Sequence, residues 1–302
     1  MTDWWCSTTI KVSGDASVRD QLHQRNGHIE CNFDKRAVII ANHQIYTDWS
    51  YLWFTAYMSN VTGHIYIMLK DSLKWIPVLG PGLQLFGFIF MSRKWAADEA
   101  TMQHQLDKLT TPPSPTSPLD PAWLLVFPEG TNLSANQRKL STAYATKSGQ
   151  SDMLHTVLPR STGLRLCLMS LAPSVEYLYD CTIGYEGIGR GEYAAETYTI
   201  RGTYFQGRHP ASVCMHWRRF RISEIPLRDA DEFHQWLLAR WREKDGLLEG
   251  FMDSGRFGAG EGGVVEARMG VGSQFEYLKV WAPCALTLVS GWILWGVVAL
   301  VW

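Results

Sequence analysis

The six cysteines, Cys6, Cys31, Cys167, Cys181, Cys214 and Cys284, contain no CxxC pair. That excludes a zinc ribbon or a thioredoxin-like redox motif, and the scattered thiols read as reduced side chains of a cytosol-facing protein. Excess charge of either sign is also lacking: 28 Lys and Arg stand against 29 Asp and Glu, a net charge of −1. No global basic field exists for nucleic acid, so no nucleic-acid partner is expected. The opening MTDWWCSTTI has neither a basic n-region nor an apolar h-region, so no secretory signal is readable. Internal repeats are lacking too. What is abundant is apolar: 46% hydrophobic residues against 19% charged, with 14 Trp. That composition excludes a disordered, collagen-like or disulfide-scaffold chain. The 302 residues allow one large domain or two small ones with a sizeable core. So much Trp suits a large core or a membrane interface.

Long uncharged runs occur twice. Val280 to Trp302 is 23 residues without a charge or His, flanked by Lys279, with Trp281 and Trp302 at its ends. A bilayer crossing takes about 20 apolar residues, so residues 280–302 read as a C-terminal transmembrane helix. Trp75 to Ser92 is uncharged over 18 residues but holds Pro77, Gly80, Pro81, Gly82 and Gly87. Those breakers predict an interrupted or interfacial helix rather than a crossing. Two further segments read as connections. TTPPSPTSPLDP, residues 110–121, is a Pro-rich surface insertion. The Gly-rich stretch from Asp253 reads as a flexible linker, 253–279, between a domain of residues 1–252 and the terminal span.

Within residues 1–252, strands and helices alternate, which indicates an α/β domain. AVIIA (37–41) and WLLVF (123–127) are short apolar runs of the kind buried as central strands. Residues 50–60 read as an aromatic-rich helix. SVCMHWRRF (212–220) alternates Val213, Met215 and Trp217 with Cys214, His216 and Arg218, predicting a strand with unlike faces. From Asp229 to Phe251 the spacing predicts a helix, capped by Asp229 with Glu232 three residues on, and with Phe233, Trp236, Leu237 and Trp241 on one face.

Four short patterns carry possible chemistry. The AVIIA strand runs into Asn42-His43-Gln44-Ile45-Tyr46-Thr47-Asp48. On one helix, residues five apart diverge by about 140°. His43 and Asp48 can therefore meet only if His43 lies on the turn and Asp48 on the helix after it. The carboxylate would then hold one imidazole nitrogen and leave the other as a general base. Phe127-Pro128-Glu129-Gly130-Thr131 ends the second strand, where Gly permits a tight turn and Thr supplies a donor. Gly87, Phe90 and Arg93 close the second uncharged run, and Arg suits a phosphate. Pro159 follows the apolar pair Val157-Leu158. Singly, each has a plainer reading: a helix-capping His, a turn, an interfacial Arg, a loop proline. His64, His155 and His216, like Cys167 and Cys181, read as core residues. Trp217-Arg218-Arg219 reads as a membrane-facing cluster or an exposed strand face. No metal-ligand spacing is found, and no metal is expected.

In this order and at these spacings, the four patterns resemble the motifs of the glycerolipid acyltransferase family: NHxxxxD (Asn42, His43, Asp48), GxxFxxR (Gly87, Phe90, Arg93), FPEGT (Phe127 to Thr131) and a fourth at Pro159. LKDSLKWIPVLG (69–80), VLPRSTGL (157–164), YLYDCTIGY (177–185) and the 213–251 region look like the subgroup holding lysocardiolipin, lysophosphatidylinositol and eukaryotic 1-acylglycerol-3-phosphate acyltransferases. The resemblance covers residues 34–252. It implies a mixed sheet flanked by helices and acyl transfer from acyl-CoA to a lysophospholipid hydroxyl, without a cofactor or covalent acyl-enzyme. His43 and Asp48 would be catalytic. Asn42, Gly87, Phe90, Arg93, Glu129, Gly130, Thr131 and Pro159 would bind substrate, with Glu129 accepting from a hydroxyl or pairing with Arg93. It also implies a bilayer partner and a site on the cytosolic side of the endoplasmic reticulum membrane. Subgroup members usually begin with a transmembrane helix before the His motif, and none is readable here. A CoA-independent transacylase, or an inactive membrane-anchored lipid-binding protein, would be the alternative on the same fold.

Overall fold

The computed structural model describes residues 8–25, 27–77, 79–92, 94–258 and 263–268. Its strands are β1 (Thr9–Gly14), β2 (Leu22–Arg25), β3 (His28–Cys31), β4 (Arg36–Ala41), β5 (Ile65–Lys70), β6 (Ile89–Met91), β7 (Ala122–Val126), β8 (Tyr177–Tyr185), β9 (Ser212–Arg221) and β10 (Val264–Arg268). Its helices are α1 (Asp48–Met58), α2 (Leu79–Leu85), α3 (Trp95–Thr110), α4 (Ala135–Ser148), α5 (Ser161–Leu171), α6 (Ala194–Thr197), α7 (Ile200–Phe205) and α8 (Ala230–Ser254). Eight strands form one sheet in the order β10-β1-β9-β8-β4-β7-β5-β6, and β2 and β3 form a separate hairpin. The sheet is mixed but mostly parallel. β8, β4, β7, β5 and β6 run the same way, while β9 is antiparallel to β8 and β10 to β1.

β4 and β7 lie at the centre because their side chains are apolar on both faces. Alternate residues serve opposite cores. Ala37, Ile39 and Ala41 of β4, with Trp123 and Leu125 of β7, pack with Tyr51, Leu52 and Ala56 of α1. Val38, Ile40, Leu124 and Val126 pack with Met102 and Leu106 of α3, Leu164 and Leu168 of α5, and Phe233, Leu237 and Trp241 of α8. Asp229 caps α8, accepting the N–H groups of Asp231 and Glu232 at 2.8 and 2.9 Å. The 75–92 run is interrupted as its breakers predict. A 3₁₀ turn (Asp71–Trp75), α2 and β6 share it.

Two sequence expectations are corrected. β9 has the unlike faces its alternation predicts, but neither face is open at Trp217 or Arg218, because residues 212–218 are all buried. Val213, Met215 and Trp217 enter one core, Cys214 meets Leu248, Phe251 and Phe257, and Arg218 is neutralised in ion pairs. Alternation of residue type therefore marks two different buried environments, and Trp217-Arg218 faces neither membrane nor solvent. The Gly-rich linker read over 253–279 contains β10, which pairs with β1 from Thr9↔Arg268 to Ser13↔Val264. The β-branched pair Val264-Val265 suffices for an edge strand, and the surrounding glycines hide it. Strand β1 lies within the 1–252 domain and ahead of the 34–252 stretch that carries the family resemblance. Residues 280–302, read as a transmembrane helix, lie outside the described residues. Among those described, no helix is long and apolar enough to cross a membrane.

Candidate active site

Parallel strands put their carboxyl ends on one edge, the usual place for ligands in open α/β sheets. His43 follows β4, Glu129 follows β7, Ser92 follows β6, and Tyr185 ends β8. The topology thus gathers segments far apart in sequence.

Asn42 fastens the first of them. Its buried side chain donates Nδ2–H to the carbonyl of Ile183 (2.9 Å) and accepts the Ile183 N–H (2.8 Å). The amide imitates a peptide and prolongs the β4–β8 pairing by one position. Both ends of that side chain are engaged by β8, so its contribution in this structure is to hold the turn. His43 then leaves the strand. Its ring stacks on Phe127 with centroids 4.4 Å apart and planes at 25°. Its Nδ1 lies 2.8 Å from Oδ2 of Asp48, the first residue of α1. The imidazole is slightly exposed, at 18%, while Asp48 is wholly buried.

Asp48 is saturated with donors. Oδ2 also accepts the N–H groups of Gln44 (2.6 Å) and Ile45 (3.0 Å), and Oδ1 accepts the Tyr185 hydroxyl. All four partners can donate, so the buried carboxylate acts as an acceptor on both oxygens. As an acceptor it takes Nδ1–H of His43 and leaves Nε2 with a free lone pair, the tautomer a base requires. Burial and the facing Asp48 push the Tyr185 phenol well above its usual pKa, so it remains a donor.

Glu129 lies beneath this turn, 1% exposed. Oε1 accepts the His43 N–H (3.3 Å) and the indole N–H of Trp241 on α8 (3.2 Å), while Oε2 accepts the Val157 N–H (3.2 Å). Through these contacts it is a clamp between the His43 turn and the 157 segment. Burial pushes its pKa up to about 8, against the pull of these three donors and of Lys244. Gly130 completes the turn at φ 69°, which a Cβ would strain, and its N–H bonds the Phe127 carbonyl at 2.9 Å. Arg160 N–H bonds the Pro128 carbonyl (2.8 Å), and with the Val157–Glu129 bond it places buried Pro159 directly along the FPEG turn. Thr131 follows, half-buried. Gly87 (φ 71°) ends the turn after α2, and half-buried Phe90 of β6 packs into the same core as Phe127. Arg93 lies outside the described residues.

Sequence reasoning missed the α8 side of the site. Lys244, fully buried, donates to Asp180 (2.6 Å), the Cys181 carbonyl (2.6 Å) and Thr182 (3.3 Å). Asp180 also meets Arg218 at 2.8 Å. Burial alone would raise the Asp180 carboxyl, but the two cations hold it below its usual range. A lone acid inside the apolar YLYDCTIGY was the available signal. Asp245 accepts the N–H groups of Leu154, His155 and Thr156, and the His155 carbonyl accepts Gln44 Nε2–H (2.8 Å). His216 contacts Ser13 (2.9 Å) and His155 contacts Glu249, while Cys167 and Cys181 are wholly buried. Among the described residues no group of three or more His, Cys, Asp or Glu could hold a metal.

Residues 9–184 match the family model described as acyltransferase, and residues 203–277 match the one described as acyltransferase C-terminus. The chain belongs to the glycerolipid acyltransferase family. It is 40% identical to 2-acyl-1-lysophosphatidylinositol acyltransferase of Saccharomyces cerevisiae, over 78% of this chain and 66% of that protein. It is 32% identical to a probable 1-acyl-sn-glycerol-3-phosphate acyltransferase of Arabidopsis thaliana, over 74% and 56%. It is 30% identical to lysocardiolipin acyltransferase 1 of Gallus gallus, over 74% and 55%. The chain thus spans between just over half and two thirds of the length of these relatives.

Proposed function

We propose that the chain is an acyl-CoA-dependent acyltransferase that loads a fatty acyl chain onto the free hydroxyl of a lysophospholipid. The observation that carries this reading is the His43–Asp48 pair, with Nδ1 held by a buried carboxylate at 2.8 Å and the ring, stacked on Phe127, partly exposed at the carboxyl edge of the sheet. His43 Nε2 takes the acceptor's hydroxyl proton as its oxygen attacks the thioester carbon. Asp48 stabilises the imidazolium formed. The tetrahedral centre collapses, the C–S bond breaks, and the CoA thiolate recovers the proton from His43. The free thiol and the new ester are the products. No Ser or Cys nucleophile stands in hydrogen-bond contact with His43 among the described residues, which supports direct transfer.

Arg93, Thr131 and the Gly130 turn would hold the acceptor's phosphate and glycerol, with Gly87, Phe90 and Pro159 shaping the walls. Acyl-CoA is a co-substrate, and no cofactor is invoked. A bilayer is the partner this chemistry requires, with the site on the cytosolic side of the endoplasmic reticulum membrane, where CoA is supplied. Exposed Trp75, Ile76, Leu85 and Phe86, on the excursion between β5 and β6, support a membrane-facing edge beside the site. The test is thiol release from oleoyl-CoA by membranes carrying the protein, with a panel of lysophospholipids. Acceptor-dependent release that His43→Ala abolishes is expected. Wild-type-like release by His43→Ala would overturn the base. Acyl exchange between phospholipids without CoA would move the reading to a transacylase.

A further inference from the structure

The family's acyltransferase match ends at residue 184, yet the site does not. Two side chains of α8, four residues apart and therefore on one face, reach it. Trp241 donates its indole N–H to Glu129 Oε1, the same oxygen that accepts the N–H of His43. Asp245 gathers the N–H groups of Leu154, His155 and Thr156 at 2.9, 2.7 and 3.0 Å, together with the Thr156 hydroxyl at 3.2 Å. That segment returns to the site twice. Val157 N–H bonds Glu129, and the His155 carbonyl accepts the side chain of Gln44, next to His43. The routes from α8 therefore end on the backbone N–H of His43, through Glu129, and on the side chain of Gln44.

We propose that Trp241 and Asp245 are positioning residues for acyl transfer, setting from the C-terminal region the turn that aims the His43 imidazole. The proposal rests on the acyltransferase reading above. Its physical basis is the buried state of the intermediaries. Trp241 is wholly buried and Glu129 nearly so, so a donor lost there is not replaced by water. Neither residue touches the place where substrate would react, so their effect passes through Glu129 and the 154–157 segment.

The ionic state of Glu129 makes the idea testable beyond folding. Its three partners are all N–H donors, which an anion accepts and a protonated carboxyl satisfies less well. The charged groups around it are Lys244 on α8, paired with Asp180 of β8 and Arg218 of β9, the His43–Asp48 pair in front, and Arg160 beside Gly130. Trp241→Phe removes the N–H and shrinks the ring, and it keeps an aromatic face toward the Lys244 ammonium, which lies 5.1 Å from the Trp241 ring. Loss of an anion-stabilising donor raises the pH at which Glu129 ionises, so the acid limb of kcat moves to higher pH.

The experiment uses the full chain in phosphatidylcholine nanodiscs, with oleoyl-CoA and the acceptor that the thiol-release panel selects. Trp241→Phe is expected to lower kcat about tenfold, the scale of one hydrogen bond to a charged group, with both KM values within about twofold. The acid limb shifts upward. In a Glu129→Gln background the same substitution changes kcat less than about twofold, because the coupled sites act as one unit. Asp245→Ala lowers kcat similarly, and Asp245→Asn, which keeps one acceptor oxygen, recovers part of it. Deuterium exchange is measured on the same proteins. Peptides over residues 42–48 and 154–160 exchange faster in Trp241→Phe, while those over β9 do not. Unchanged kcat and exchange in Trp241→Phe, or the same loss with and without Glu129→Gln, would overturn the proposal. Absence of thiol release by the wild type with every acceptor would instead overturn the acyltransferase reading, and exchange would then decide the positioning role alone.

Discussion

The Tyr185 hydroxyl donates to the one oxygen of Asp48 that His43 leaves free. His43 and the last residue of β8 thereby share a single carboxylate. Asp48 is held from two directions, by its own turn on Oδ2 and by the neighbouring strand on Oδ1.

Tyr185→Phe removes a donor from a buried carboxylate, and leaving such an acceptor oxygen unpaired costs on the order of 1–3 kcal/mol. The expected outcome is a kcat lower by roughly 10-fold, with acceptor KM little changed, because substrate contacts are untouched. Asp48→Asn is more severe. It presents an amide to Nδ1, favours the wrong tautomer and lowers kcat by roughly 10⁴-fold. Steady-state thiol release with the two variants side by side checks the ranking, and equal effects would refute it.

Activity and stability should respond to pH with opposite signs through Glu129. Burial raises its pKa from 4.5 to about 8 in the folded protein. The folded state then binds the proton more tightly than the unfolded state, so stability is fully present below pH 4.5 and is lost as pH rises toward 8. The ionised form is the one that best accepts the His43 N–H, so kcat rises over the upper part of that window. Urea titrations and kcat measured from pH 5 to 9 test both limbs, and Glu129→Gln should flatten the stability slope.

Lys244 is 0% exposed and its partner Asp180 likewise. Breaking such a pair by removing one charge costs about 3–5 kcal/mol. Lys244→Met should therefore lower stability by that order, and Lys244→Met with Asp180→Leu should lose less than the two single changes summed. Denaturant midpoints of the three variants measure the coupling. Strict additivity would show that the pair is not a unit.

Gly130→Ala puts a Cβ at φ 69°. Space is available, since the nearest atom to such a Cβ is Arg160 Nε at 3.8 Å, so the cost is conformational, about 1–2 kcal/mol. A melting-temperature drop is expected, with kcat lowered because the turn also carries Glu129. Gly149→Ala, at φ 66° after α4, should match it in stability and leave kcat unchanged.

Much of this was legible in residues alone. AVIIA and WLLVF declare buried strands because only a sheet covered on both faces accepts such runs. The five-residue separation of His43 and Asp48 already requires a turn followed by a helix, because a continuous helix would point them apart. Asp229 and the Phe233, Leu237, Trp241 face mark α8 by capping chemistry and period. Local signals of this kind depend on neighbours within one or two turns, and the sequence carries them explicitly.

The tertiary structure decided everything that depends on partners distant in sequence. Nothing near Glu129 in the chain says that it accepts from His43, Val157 and Trp241, 86, 28 and 112 residues away. Nor does local sequence say that Asn42 spends its amide on Ile183, that Tyr185 reaches Asp48, or that β10 emerges from a Gly-rich stretch to pair with β1. A hydrogen bond has no sequence period, and a buried charge is acceptable only where its partner arrives. Sequence thus determined the strands, the His43–Asp48 turn and the family pattern, while strand order and the docking of α8 determined what surrounds that turn and holds it in place.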